Sequence, residues 1–268
     1  MSPRPLALIT GSSSGIGAAL ADTLADKGYD LVLLARRRDR LEQVAVRAEE
    51  RGAMVEIITA DLASPEGLAA AADRAARGDL RLLISNAGAG GYAPLHEVSA
   101  ADLDRLWRLN ATAPITLAQA VLPSLLDKGQ GGIVTMASLL AFSSGLSELG
   151  PVPMPPRTLY VAAKSATVAF TRTLAHELAG TGVSATVVCP GRVATEWSGG
   201  ANHHGQPRIM SAEAVAAATV VAVERGEIIC VPGLPDDEAL DRLQEIERTL
   251  VVDGNRSELA PRYLSAAR

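Results

Sequence analysis

Seven short aliphatic runs, spaced by longer stretches with helical periodicity, limit what this chain can fold into more than any other feature of its sequence. They are Leu6–Thr10, Leu31–Ala35, Val55–Thr59, Leu80–Ser85, Ile133–Ala137, Ser184–Cys189 and Glu227–Val231. Successive apolar positions put hydrophobic side chains on both faces of each run, the pattern of parallel strands covered by helices on either side. Helical candidates fill the intervals at Ile16–Lys27, Arg38–Arg51, Pro65–Arg77, Ala100–Lys128, Thr158–Gly180 and Ala212–Arg225. The alternation predicts an α/β fold: one doubly wound, seven-stranded parallel sheet with helices on both faces, in a single domain. A chain of 268 residues can bury such a core without disulfides or metals. With two Trp, four Tyr and two Phe in all, that core must be aliphatic. No linker composition or internal repeat divides the chain, so residues 1–234 are expected to hold the sheet. Residues 235–268 form a C-terminal extension and tail of the same domain, helical around Asp236–Leu250.

Two segments interrupt the alternation: Ser143–Pro156, with its PVPMPP, and Arg192–Met210, polar and bearing His203-His204. Closely spaced prolines oppose both helix and ladder, so both segments are expected to be loops. Each follows the carboxyl end of a strand, the edge at which open α/β sheets bind ligands.

Thr10-Gly11-Ser12-Ser13-Ser14-Gly15-Ile16-Gly17 joins the first run to the first helix. Its glycines allow a tight turn and close approach of backbone to a pyrophosphate, and the helix start offers partial positive charge. In a composition with 24 Gly, three glycines at any given spacing arise by chance about 0.2 times. Placement directly after a strand is what makes this a Rossmann-type dinucleotide loop, with Gly11, Ser13, Ser14, Gly15, Ile16 and Gly17 as candidate contacts. No Gly-Lys-Ser/Thr follows, which excludes a Walker loop. At the end of the second run stand Arg36 and Arg37, where a carboxylate would grip the ribose of NAD. Guanidiniums suit a 2′-phosphate instead, so NADP(H) is favoured over NAD(H).

Tyr160 and Lys164 are four apart at the start of a predicted helix and therefore share a face. Four Tyr and three Lys in this chain predict roughly 0.05 such pairs by chance. A phenol with an ordinary pKa of about 10 exchanges protons poorly at neutral pH, and a neighbouring cation lowers that value. The pair is thus expected to carry general acid–base chemistry.

Taken together, these motifs resemble the short-chain dehydrogenase/reductase family of single-domain NAD(P)-dependent oxidoreductases, over nearly the whole chain to about Val231. The resemblance rests on TGSSSGIG at Thr10–Gly17, Asp61-Leu62, Asn86-Ala87-Gly88, Asn110, Ser138, YVAAK at Tyr160–Lys164 and Pro190-Gly191. It makes residues 1–234 the catalytic domain and implies roles by position. Tyr160 is the general acid in carbonyl reduction and the base in alcohol oxidation, while Lys164 lowers its pKa and holds the nicotinamide ribose. Ser138 binds the substrate oxygen, and Asn110 fixes a proton-relaying water. Asp61 and Leu62 meet the adenine, Asn86, Ala87 and Gly88 line the cofactor cleft with Pro190 nearby, and Val193 and Thr195 meet the carboxamide. The resemblance also implies homodimers or homotetramers built through the long helices. Three departures stand out: Ser85 replaces an Asn, Ser138 precedes Tyr160 by 22 residues, and the chain continues past Val231 into an acidic helix. The long gap reads as an insertion over the substrate entrance that leaves Ser138 and Tyr160 close in space.

Around the site we expect Tyr92, Leu139, Leu140, Phe142, Met154, Trp197 and Met210, an apolar set favouring a small-to-medium lipophilic ketone, aldehyde or secondary alcohol. Trp197 reads as a lid residue or an anchor. His203 and His204 are adjacent and lack further ligands nearby, so no metal site is expected. Cys189 and Cys230 lie in apolar runs and read as buried, inert thiols. A net charge of -5 opposes nucleic acid as a partner. No signal peptide or uninterrupted apolar span is visible, which reads as a cytoplasmic protein without a membrane partner. An NADPH-dependent carbonyl reductase leads; a dehydrogenase working in the oxidative direction and a non-catalytic nucleotide sensor are the alternatives.

Overall fold

The computed structural model describes residues 3–149, 152–196 and 209–266. The chain forms two compact units, Met1–Pro232 and Gly233–Arg268.

In the first unit, strands β1 (Leu6–Thr10), β2 (Asp30–Ala35), β3 (Val55–Thr59), β4 (Leu80–Ser85) and β5 (Gly131–Met136) alternate with helices α1 (Gly15–Asp26), α2 (Arg38–Glu50) and α3 (Pro65–Ala75) and with the long helical stretch before β5. That stretch is α4 (Ala100–Trp107), a π-helical turn at Arg108–Thr112, and α5 (Ala113–Lys128). A short hairpin, β6 (Glu148–Leu149) with β7 (Val152–Pro153), precedes α6 (Thr158–Glu177), β8 (Val183–Val188), α7 (Ala212–Arg225) and β9 (Ile229–Cys230). The seven-stranded sheet has the order β3-β2-β1-β4-β5-β8-β9, and all neighbours are parallel.

Period-two alternation divides the core into two aliphatic layers. Ala7 and Ile9 of β1, Leu31 and Leu33 of β2 and Leu82 and Ile84 of β4 pack with α1, α2 and α7. Leu8, Val32, Leu34 and Leu83 face the other way, onto α3, α5 and the end of α6. Successive side chains of a strand point to opposite faces, so the continuous apolar runs serve both layers at once. Order reverses between β1 and β4, which opens a crevice at their carboxyl ends.

Two sequence expectations need correction. Ala100–Lys128 is interrupted by the π-turn around Asn110, and Ser143–Pro156 contains the hairpin rather than loop alone. Proline is tolerated there because of its register. Met154 N donates to Ser147 O at 3.0 Å, which puts the Glu148–Pro153 pair at a non-hydrogen-bonded position where no N–H is needed. Ala100–Lys128 is also the one helix, among the described residues, long and apolar enough to cross a membrane by length and composition. Its apolar residues Leu117, Val121 and Leu125 are instead spent on the core. The second unit includes α8 (Glu238–Gly254), which starts two residues later and ends four residues later than expected, and a 3-10 turn at Pro261–Ala266.

Candidate active site

The glycine loop lies at the crevice and is held by its neighbours. Gly11 N donates to Leu34 O at 2.7 Å, and the residue takes φ +67, a conformation that favours glycine. A Cβ on Gly17 would lie 2.3 Å from Gly11 O, so no side chain fits there. Asn86 Nδ2 donates to Thr10 O (3.0 Å) and Gly11 O (3.4 Å). Thr10 Oγ1 accepts from the backbone N of Asn86 and of Ala87 at 3.0 and 2.9 Å. Thr10, not anticipated as a site residue, is therefore the clamp between β1 and β4. Gly88 is half-buried beside it. Helix α1 begins at Gly15 after an extended Ser14, with no side-chain cap and no acid in its first turn. Its dipole and unblocked N-terminal turn suit an anionic diphosphate.

At the end of β2 the structure brings acids to the arginines that the local sequence lacks. Arg36 Nη1 is 4.0 Å from Asp61 Oδ2, and Asp61 Oδ1 accepts from Ala63 N at 3.0 Å. Leu62 packs its side chain into the core instead of facing the crevice. Arg37 donates through Nη2 to Ser14 Oγ (2.8 Å) and Ser13 Oγ (3.3 Å) and through Nη1 to Glu196 Oε2 (3.0 Å). Glycine loop and strand end thus converge on one guanidinium, a setting that fits the adenosine end of a phosphorylated dinucleotide.

Three of the expected residues, Ser138, Tyr160 and Lys164, meet at the end of β5. Ser138 follows the strand, and its Oγ accepts from Leu140 N at 3.2 Å. Tyr160 is buried and shares a hydrogen bond with the Ser138 side chain, so the insertion leaves the two together. Lys164, one turn along α6, has its Nζ 5.9 Å from the Tyr160 ring centroid and donates to Met136 O at 2.8 Å. Asn110 sits in the π-turn. Its Nδ2 donates to Ala89 O (2.9 Å) and Leu106 O (3.1 Å), and its Oδ1 accepts from Ala89 N (3.2 Å). Its backbone carbonyl accepts from Thr167 Oγ1 at 2.8 Å.

Burial dominates the electrostatics of the pair. Burial, aided by Tyr92, pushes the Tyr160 phenol above its ordinary value despite Ser138. Burial also brings Lys164 down to about 8. Low-dielectric surroundings disfavour the charged form of each group. Cys189, behind the site, is likewise driven by burial to about 12 and stays a thiol.

Loops complete the edge. Pro190 is buried, and its carbonyl accepts from Leu139 N at 3.0 Å. Val193 bridges Met210, and Ala194 N donates to Met210 O at 2.9 Å. Thr195 lies against the loop, since a Cβ on Gly15 would come 2.9 Å from its Cγ2. Tyr92 stacks on Tyr160 at 5.4 Å between centroids with a 45° tilt, and Leu139 is exposed beside Gly191. Phe142 and Met210 are partly buried and pack against the core, while Leu140 and Met154 are half-buried. Arg157, unanticipated, donates to Ser143 Oγ (3.0 Å), Ser143 O (2.9 Å) and Leu146 O (2.6 Å), pinning the insertion. Trp197, His203 and His204 lie outside the described residues. Among the described residues no group of three or more His, Cys, Asp or Glu could hold a metal ion.

A glycine loop at the switch point of a doubly wound sheet suits a dinucleotide. The short chain dehydrogenase family model matches residues 5–205, and the chain is a member of that family. A solved short-chain dehydrogenase from Sphingobium yanoikuyae, in complex with NADPH, is 33% identical with a TM-score of 0.88, covering 97% of this chain and 100% of that one. The bulky-bulky ketone specific alcohol dehydrogenase from Comamonas testosteroni is 30% identical with a TM-score of 0.87, covering 98% and 100%. 1-Deoxy-11-beta-hydroxypentalenate dehydrogenase from Streptomyces exfoliatus is 36% identical over 194 residues, 70% of this chain and 67% of that protein. The protein is accordingly an NAD(P)-dependent oxidoreductase acting between hydroxyl and carbonyl groups.

Proposed function

We propose that this protein is an NADPH-dependent carbonyl reductase, working in reverse as a secondary-alcohol dehydrogenase, on small-to-medium lipophilic ketones or aldehydes. The observation that carries the reading is the Ser138–Tyr160 hydrogen bond beside a buried Lys164. When bound, the cofactor supplies the hydride that converts the carbonyl to an alkoxide. Tyr160, held as the neutral phenol by its burial, donates its proton to that oxygen. Ser138 Oγ gives the same oxygen a second hydrogen bond as charge develops. Lys164 has two further N–H donors for the ribose hydroxyls and lies close enough to steady the phenolate left behind. Asn110, clamped by three side-chain hydrogen bonds, offers its carbonyl to a water that returns the proton from solvent.

Gly11, Ser13, Ser14, Gly15, Ile16 and Gly17 would hold the diphosphate, Arg36 and Arg37 the 2′-phosphate, and Asp61 with backbone at Leu62 the adenine. Asn86, Ala87 and Gly88 would line the cleft, and Pro190, Val193 and Thr195 the nicotinamide end. The Sphingobium relative's NADPH supports the cofactor choice, and the Comamonas relative's bulky ketones support a lipophilic substrate. Residues 1–234 act as the catalytic domain, with residues 235–268 as its C-terminal extension. Exposed Leu103, Trp107, Ile115 and Leu126 on α4 and α5 supply apolar surface for a homodimer or homotetramer, and the protein works in the cytoplasm. A panel of small and bulky ketones, read by NADPH consumption, tests the reading. We expect lipophilic ketones in the panel to be reduced, with NADPH favoured over NADH; no turnover of any ketone, or a preference for NADH, contradicts it.

A further inference from the structure

We infer that Glu196 tunes cofactor preference, by competing with the 2′-phosphate of NADP(H) for Arg37. The inference rests on the reading that Arg36 and Arg37 hold that phosphate. Glu196 comes from a distant part of the chain, in the segment between β8 and α7, and lays its carboxylate against Arg37 Nη1 at 3.0 Å. Its other oxygen is 3.9 Å from Arg40 Nη2. The remaining Nη of Arg37 is used by Ser13 and Ser14, so both terminal nitrogens of the guanidinium have partners. Position is enforced from behind by the Val193–Met210 bridge and by Thr195 against Gly15. Arg37 beside it holds the carboxyl below the usual range, so Glu196 is an anion throughout the neutral region.

A 2′-phosphate carries close to two negative charges at neutral pH. To use Arg37 it must displace the Glu196 carboxylate or share the guanidinium with it, and the two anions repel. The 2′-hydroxyl of NAD(H) is neutral and leaves the ion pair intact. Glu196 therefore weakens NADP(H) binding selectively. Both side chains are about half exposed, 44% for Arg37 and 52% for Glu196, so solvent screens the effect. Exposed charge pairs of this kind alter an equilibrium by about two- to fivefold. Exposure also means that the fold tolerates their replacement.

The test is calorimetric titration of the full-length protein with NADPH and with NADH, for wild type, Glu196→Gln, Arg37→Ala and the double variant. Glu196→Gln should tighten NADPH about two- to fivefold at low salt and leave NADH unchanged, with the gain shrinking when Arg37 is already alanine. A Glu196→Gln protein that shifts both cofactors alike, shifts neither, or binds NADPH more weakly overturns the inference while leaving the phosphate site standing, provided that Arg37→Ala loses NADPH selectively. Arg37→Ala with an unchanged NADPH-to-NADH ratio overturns the phosphate site itself, and the role of Glu196 with it.

Discussion

Lys164 donates to the carbonyl oxygen of Met136 at 2.8 Å from a position only 3% exposed to solvent. A cation so placed is held against its hydration energy, which is why its pKa falls from 10.5 to about 8. The unfolded chain keeps its extra proton between those values, so this group's contribution to stability rises with pH across that window, by up to about 3 kcal/mol. Cys189 and Tyr160, both raised, act in the opposite sense above their unfolded values. The difference between wild type and Lys164→Met isolates the lysine. Chemical denaturation from pH 7 to 10 should show wild type gaining on the variant as pH rises through 8; a pH-independent difference would mean that the ammonium is not desolvated.

Thr167 reaches from α6 to the carbonyl of Asn110 at 2.8 Å, across the π-turn. Thr167→Val keeps the shape and removes the donor. We expect stability to fall by about 1–2 kcal/mol and kcat by about tenfold, because Asn110 loses its registration with the proton path. NADPH affinity should not change. Thermal unfolding with steady-state kinetics and cofactor titration separates these effects.

Arg157 ties the Ser143–Pro156 insertion to the start of α6 through four hydrogen bonds, the fourth to Pro155 O at 3.2 Å. If the insertion shapes the substrate entrance, Arg157→Ala should raise KM for bulky ketones by about tenfold and leave kcat within about twofold. Limited proteolysis should cut the freed segment sooner than in wild type.

The alternating apolar runs made the sheet legible because burial on both faces leaves few other folds, and the strand ends shift by only one or two residues. The Tyr160–Lys164 pair was legible because its spacing is rare in a chain so poor in Tyr and Lys, and Ser138 was set beside it by the family resemblance. What escaped were relations between distant parts of the chain. Glu196 pairs with Arg37 and Thr10 clamps Asn86, and neither contact leaves a local pattern. The π-turn at Asn110 was invisible because apolar periodicity continues through it. The depth at which Tyr160 is buried was not legible either, because spacing reveals the neighbouring charge but not the burial that pushes the phenol up.

The central claim is that Tyr160 donates the proton to the substrate oxygen. Replacing it with Phe removes only the hydroxyl, while the buried ring keeps its place beside Tyr92 and Lys164. Single-turnover ketone reduction by Tyr160→Phe, with NADPH affinity measured on the same preparation, tests it most directly. The account predicts a rate lower by about 10²–10⁴-fold with affinity unchanged within about twofold; turnover near the wild-type rate would contradict it.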